Sequence, residues 1–329
     1  MSEPAMKSFR LHTGSAAEIV QFIVAAIISI GLSSFLQTLR LPQEKSLARE
    51  ITSLIADGLI TYLKRVSSSI LQMMLYLALV LFLFSFVSNK VIPWQQALSF
   101  GIGASVMLIN SYVSLALIPR TLPNVLLKSK YFIHEGLLEL YKISVATGFI
   151  KIGVVVLGFI GCVLTLGFNT IVGFCVGIVL ASVFLRIGGG IFKVGTDVGS
   201  DTASKIEKEL PAFDRRNPAT ILDIVGDFIG DLSGFSSDIL GSFIFALSSC
   251  LLFAYSLVNK HFISEDLFQK LCLLPLTIIS ISLIISWLST YFCKWRIKTH
   301  KPENVLLEGL YISVVVCAGA AYLFQSYLH

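Results

Sequence analysis

The sequence predicts an all-α fold, a polytopic transmembrane bundle of about eight helices. Three observations carry this. Hydrophobic residues make up 55% of the 329 and charged residues only 14%, where soluble domains carry about 25% charge. The mean hydropathy is +0.82. The apolar residues gather into stretches of about 20, the length that crosses a bilayer as an α-helix, and Lys and Arg are concentrated in alternate connections between those stretches.

The stretches fall at 17–37, 67–88, 95–118, 143–168, 170–192, 221–257, 267–292 and 305–326. The first is too long for a signal-peptide core and no A-x-A cleavage site follows it cleanly, so it is read as a retained span. Four connections are rich in positive charge. They carry Arg40, Lys45, Arg49, Lys64 and Arg65; Arg120, Lys128, Lys130 and Lys142; Lys193, Lys205, Lys208, Arg215 and Arg216; and Lys294, Arg296, Lys298 and Lys301. The opposite side holds little beyond Lys90, Lys260, Lys7 and Arg10. By the positive-inside rule the four rich connections are cytoplasmic and both termini lie outside. The whole of 1–329 reads as a single transmembrane domain. The net charge of +5 comes from these loops, and no aromatic-interleaved basic stripe marks a nucleic-acid surface. The six cysteines lie in or beside apolar spans without a C-x-x-C pair, as small buried hydrophobes do. The five histidines are scattered and suggest neither a zinc site nor a catalytic triad.

The segment 183–245 departs from this apolar pattern. Asp223, Asp227 and Asp231 recur every four residues, and Asp238 follows seven later. Asp197 and Asp201 repeat the spacing upstream. Residues four apart share a helix face, so each set forms a carboxylate stripe. A carboxylate within a bilayer costs several kcal/mol unless it meets water, a cation or a partner charge. Two such helices facing each other suit a hard cation, Mg²⁺ above all, because such ions take oxygen ligands.

The connection between the stripes has its own logic. The helix with Asp197 and Asp201 should continue through Lys205 and Glu207 and break near Pro211. Asn217 is a good N-cap and Pro218 a good first helical residue, so the next helix starts there. Gly226, Gly230 and Gly234 repeat alongside the acids and let a neighbouring helix approach closely. Asp197 and Asp201 admit a second reading, a solvated extension paired with Lys193, Lys205 or Lys208. Gly188, Gly189 and Gly190 lack the G-K-[ST] of a phosphate loop and read as a packing surface. Arg186, inside an apolar span, pairs with an acid, for which Asp238 is the natural candidate, or snorkels to the interface. Lys151 sits early enough in its span to snorkel.

These residues resemble a known family. The run Arg186, Gly188, Gly189, Gly190, Asp197, Asp201, Lys205 and Glu207, followed by Arg216-Asn217-Pro218-Ala219-Thr220-Ile221 and then Asp223, Gly226, Asp227, Gly230, Asp231, Gly234 and Asp238, looks like the membrane-bound, ion-translocating inorganic pyrophosphatases. Asp57, Gly58, Tyr62 and Leu63 resemble an early helix of that family, and Glu308 and Tyr311 fit a later span. Resemblance covers most of the chain and corresponds to the family's N-terminal half.

The resemblance implies an H⁺- or Na⁺-pumping enzyme that hydrolyses pyrophosphate at a Mg²⁺ site facing the cytoplasm, in the membrane lipid and as a homo-oligomer. By position, Asp197, Asp201, Asp223 and Asp227 match acids that bind Mg²⁺ and pyrophosphate. Lys193 lies near the substrate-binding lysine of the family, Asp231 matches a catalytic acid that orients water, and Arg186 and Asp238 match members of an ion gate. The departures are also definite. The family has about sixteen spans, and its second half carries the other acid-rich helices, the second water-orienting acid and the lysine that partners the acid at Asp238. The family's lysine falls at the position of Val194, one residue or roughly 100° from Lys193. Ala212 and Phe213 stand where acids are expected, Ile224 and Phe228 where asparagines are, and Phe245 at a gate position usually acidic. The expectation is one part of a split or truncated pump, completed by a second polypeptide and inactive alone. The alternative is a non-catalytic paralogue that keeps the fold and Mg²⁺ binding.

Overall fold

A computed structural model of the chain describes residues 47–87, 94–206, 219–259, 264–297 and 300–328. The span expected at 17–37 and the connection 207–218, with Glu207, Pro211, Phe213, Arg216, Asn217 and Pro218, lie outside the described residues. Within them every element is helical: α1 (Leu47–Val87), α2 (Trp94–Ser129), α3 (Ile133–Leu166), α4 (Ile171–Ile206), α5 (Ala219–Phe228), α6 (Ser236–Asn259), α7 (Glu265–Arg296) and α8 (Pro302–Leu328). A π-helical turn, Ile229–Phe235, joins α5 to α6. The two form one apolar rod, so among the described residues seven helices are long and apolar enough to cross a membrane. The protein is an all-α integral membrane bundle, and each of the seven overlaps a stretch expected from sequence.

The helices outrun the expected spans. Residues 47–66, which fall outside the apolar stretches although Asp57, Gly58, Tyr62 and Leu63 resemble a helix of the family, are the first half of α1, which is 41 residues long. At 1.5 Å per residue it measures about 60 Å, twice the hydrocarbon thickness. Hydropathy reports where a helix is greasy, not where its backbone hydrogen bonds stop. Likewise α2 runs to Ser129 and α3 starts at Ile133, so the connection between them is one tight turn. The true stops have local causes. Gly167 closes α3 with φ +95°, a conformation glycine adopts without steric penalty. Ser264 caps α7 by accepting a hydrogen bond from the Leu267 backbone N–H at 3.3 Å, and Pro302 opens α8, where its missing N–H is not needed.

The chain divides into two compact units whose boundaries fall inside helices. Of the described residues, 47–87, 94–126, 161–206 and 219–245 form the acid-bearing unit. Its core is Ile55, Leu59, Tyr62 and Leu63 of α1, Leu115 and Leu122 of α2, Val225 of α5 and Ile229 of the π turn. Within it α2 and α4 nearly touch: a Cβ on Gly173 would strike the Gln96 carbonyl and the Ser99 hydroxyl, and one on Gly177 would strike the Phe100 carbonyl. The second unit comprises 127–160, 246–259, 264–297 and 300–328. There α7 and α8 pair through Ser289, whose hydroxyl donates to the Gly309 carbonyl at 2.9 Å, and through Arg296, whose Nε lies 3.3 Å from Glu308 Oε2.

Candidate functional site

The acid rows lie on α4 and on the rod formed by α5 and the π turn, and glycine sets their separation. A Cβ on Gly226 would collide with the Thr196 hydroxyl of α4. One on Gly230 would sit 2.6 Å from Lys193 Cδ, and Gly189 of α4 faces the Ile229 carbonyl and Gly234 in return. The Gly226/Gly230/Gly234 repeat is therefore the surface on which α4 lies, and Gly189 answers it from α4 as a packing residue.

That close approach brings Lys193 across to the opposite row. Its Nζ donates to Asp231 Oδ1 at 3.1 Å and lies 3.1 Å from Asp227 Oδ1. The lysine is not paired along its own helix with Asp197, as the extension reading allowed. Asp223 lies within electrostatic reach of Asp197, Asp201, Asp227 and Lys193. Five carboxylates and one ammonium thus share the region where α4 meets α5. Asp197, Asp201, Asp227 and Asp231 are exposed and Asp223 half-buried, so none is sealed within the core.

The rest of α5 points the other way. Ile224 and Phe228, at positions where the resemblance expects asparagine, pack against the core cluster shared with α1. They support the helix that carries the acids.

Asp231 lies in the first part of the π turn. The turn's hydrogen-bonded ring holds one residue more than an α turn, so the helix beyond it is rotated by roughly 100° from the register of an unbroken α-helix. Ser233, fully buried, is fixed there by a 2.6 Å hydrogen bond with the Ser111 hydroxyl of α2. Arg186 stacks on Phe235, its guanidinium carbon 5.2 Å from the ring centroid. The expected ion pair between Arg186 and Asp238 is not formed among the described residues; the aromatic face takes the arginine. The sequence reading missed Lys193 as a bridge and Ser111 as a support. The glycine repeat was the available signal for the first, since a glycine face invites whatever lies opposite.

The donor set suits Mg²⁺ in kind: every candidate ligand is a carboxylate oxygen. Among the described residues no three His, Cys, Asp or Glu side chains converge to hold an ion by themselves. Mg²⁺ is commonly held by one or two carboxylates at a time, with substrate phosphate and water completing its octahedron. Asp197, Asp201, Asp223 and Asp227 would supply those carboxylates.

Seven apolar helices with carboxylate rows where two of them meet define a membrane protein with an acid-lined polar site. The sequence profile described as "Inorganic H+ pyrophosphatase" matches residues 23–329, and the chain belongs to that family. It is 24% identical over 322 residues to the K(+)-insensitive pyrophosphate-energized proton pump of Caldanaerobacter subterraneus subsp. tengcongensis, covering 89% of this chain and 43% of the relative. It is 27% identical over 308 residues to the pump of the same description from Methanosarcina mazei, covering 93% and 44%. With the putative K(+)-stimulated pyrophosphate-energized sodium pump of Clostridium tetani it shares 26% over 322 residues, covering 97% and 44%. The chain spans less than half the length of these curated relatives.

Proposed function

We propose that the acid-lined face of α4 and α5 binds magnesium pyrophosphate, and that the chain is one part of a pump in which hydrolysis of that substrate drives H⁺ or Na⁺ across the membrane. The observation that carries this is the packing of α4 onto Gly226 and Gly230, which brings Asp197 and Asp201 within electrostatic reach of Asp223 and Lys193, on the same helix, onto Asp227 and Asp231. When bound, Mg²⁺ would neutralise phosphate oxygens. The chain's own residues do the rest. Asp197, Asp201, Asp223 and Asp227 hold the charge of the complex in place. Lys193, released from Asp227 and Asp231, turns to a phosphate oxygen. Asp231 accepts a hydrogen bond from the attacking water and orients it. Arg186 and Asp238 line the ion path, and Arg186 leaves Phe235 when the gate forms. By the positive-inside rule, the Lys- and Arg-rich connections support a face turned toward the cytoplasm and both termini outside.

A complementary set of acid-bearing helices completes the site, since a single acid leaves the water without its second acceptor. Loss of one positioned group of this kind typically lowers the rate by a factor of about 10² or more. A second reading, a paralogue that binds Mg²⁺ without hydrolysing pyrophosphate, is favoured by the Lys193 bridge: the acid meant for water, Asp231, already accepts a hydrogen bond from an ammonium.

Proteoliposomes separate these readings. The chain alone should bind Mg²⁺–imidodiphosphate, a non-hydrolysable analogue, yet release no phosphate and move no ions. Co-expression with a complementary half should restore phosphate release. No analogue binding would sink the proposal. Pyrophosphate-driven acidification or Na⁺ uptake by this chain alone would show that no complement is needed. Analogue binding without restored hydrolysis would favour the paralogue.

A further inference from the structure

The second unit holds a groove that the pump chemistry does not use. Helices α3, α7 and α8 enclose about 310 Å³. Tyr141, Val145 and Phe149 line it on α3, Leu283 and Cys293 on α7, and Leu310 on α8. On α3 the lining runs from Tyr141 to Ile152, about 16 Å at helical rise. Its walls are mostly hydrocarbon, and it runs lengthwise along the helices.

A positive cluster adjoins the end of the groove marked by Tyr141 and Cys293. Lys142 follows Tyr141 in the chain and Lys294 follows Cys293. Glu139 Oε1 accepts hydrogen bonds from Lys128 at 2.6 Å and Lys142 at 2.9 Å, and Lys294 lies within electrostatic reach of both Lys142 and Glu139. Three ammoniums against one carboxylate leave a surplus of two positive charges (3 − 1 = 2). Glu139 is 7% exposed, so it anchors the cluster, while Lys128 and Lys142 keep 47% and 32% of their side-chain surface. Aromatic residues mark the same level. Tyr291 lies under the Lys294 ammonium at 5.1 Å, and Tyr131 and Trp295 are each 74% exposed. Tyr and Trp at the ends of apolar spans belong to the membrane–water interface.

We infer that this groove is a binding site for an anionic diacylphospholipid, its phosphate held by Lys142, Lys294 and Lys128 and one acyl chain laid along α3, α7 and α8. Charge complementarity selects the head group, and the adjoining apolar channel selects a lipid over a free anion. Inorganic phosphate would leave the channel unfilled, and a neutral lipid would leave the lysines uncompensated. On the orientation proposed above this end faces the cytoplasm, whose leaflet carries the anionic lipids. The site does not depend on pyrophosphate chemistry.

Native mass spectrometry of the full chain tests it, with dioleoyl-phosphatidylglycerol and dioleoyl-phosphatidylcholine as probes. The wild type should retain phosphatidylglycerol at least about tenfold better, in line with juxtamembrane lysines near anionic lipid. The double variant K142Q/K294Q should lose that preference, while K64Q, in the acid-bearing unit, should keep it. The G148L variant fills the groove from a position where a Cβ meets nothing within 4 Å, and it should release both lipids without lowering the melting temperature. Millimolar inorganic phosphate should not displace the lipid. The inference is overturned if the preference survives K142Q/K294Q, if G148L retains lipid as the wild type does, or if phosphate competes as well as phosphatidylglycerol does, which would make the cluster a simple anion site.

Discussion

Replacing Lys193 with Met isolates the charge that α4 sets against Asp227 and Asp231. Most of the stem is kept and the ammonium is lost. The two contacts to Asp227 and Asp231 are each 3.1 Å, and the three side chains are 38%, 61% and 62% exposed. Exposed pairs of this kind contribute about 0–1 kcal/mol each, so folding stability should fall by at most about 2 kcal/mol. Binding of Mg²⁺ alone should improve. At a separation of about 5 Å, a unit charge repels a divalent ion by about 1.7 kcal/mol in a water-like dielectric. Screening at physiological salt brings that to about 1 kcal/mol. Removing the charge should therefore tighten Mg²⁺ roughly three- to twentyfold. Imidodiphosphate with Mg²⁺ should move the other way, about tenfold weaker, because a charge-assisted bond to phosphate is lost. Calorimetric titration of the detergent-solubilised chain reads both, with Asp227→Asn as the control that weakens Mg²⁺. If K193M leaves Mg²⁺ affinity unchanged or lower, Lys193 does not compete with the metal for these carboxylates and the argument fails.

Gly230→Val should destabilise the protein by about 1–3 kcal/mol through overpacking, since even a Cβ there lies 2.6 Å from Lys193 Cδ; a melting temperature at or above that of the wild type would contradict the glycine contact. Ser111→Ala strands the buried Ser233 hydroxyl and should cost about 1–3 kcal/mol, and adding Ser233→Ala should recover part of the loss in a thermal double-mutant cycle. Glu139→Ala leaves Lys128, Lys142 and Lys294 without their shared carboxylate and should lower stability by about 2 kcal/mol, most visibly at low salt in thermal scans. A cysteine introduced at Arg216 should be blocked by impermeant reagents only from the cytoplasmic face, and labelling from outside would reverse the orientation.

The sequence by itself determined those features that depend on periodicity along one helix. The apolar stretches specified a membrane bundle, and the spacing of Asp223, Asp227 and Asp231 put three acids on one face. The glycine repeat beside them declared a close contact. These signals are legible because side-chain direction in a helix is set by residue number alone. Helix ends were less legible, because hydropathy falls off where the lipid ends while the hydrogen-bond ladder continues, as α1 shows from Leu47. Which residue answers which face was decided only in three dimensions. Nothing local tells Lys193 to reach Asp227 and Asp231 on the next helix in place of Asp197 on its own. The π turn adds a residue that a count of sevens cannot see, and Arg186 meets Phe235 there. The cluster of Lys128, Glu139 and Lys142, which lie close in sequence, gains Lys294 from α7, far along the chain. Such pairings depend on how closely helices pack, and that depends on every side chain between them.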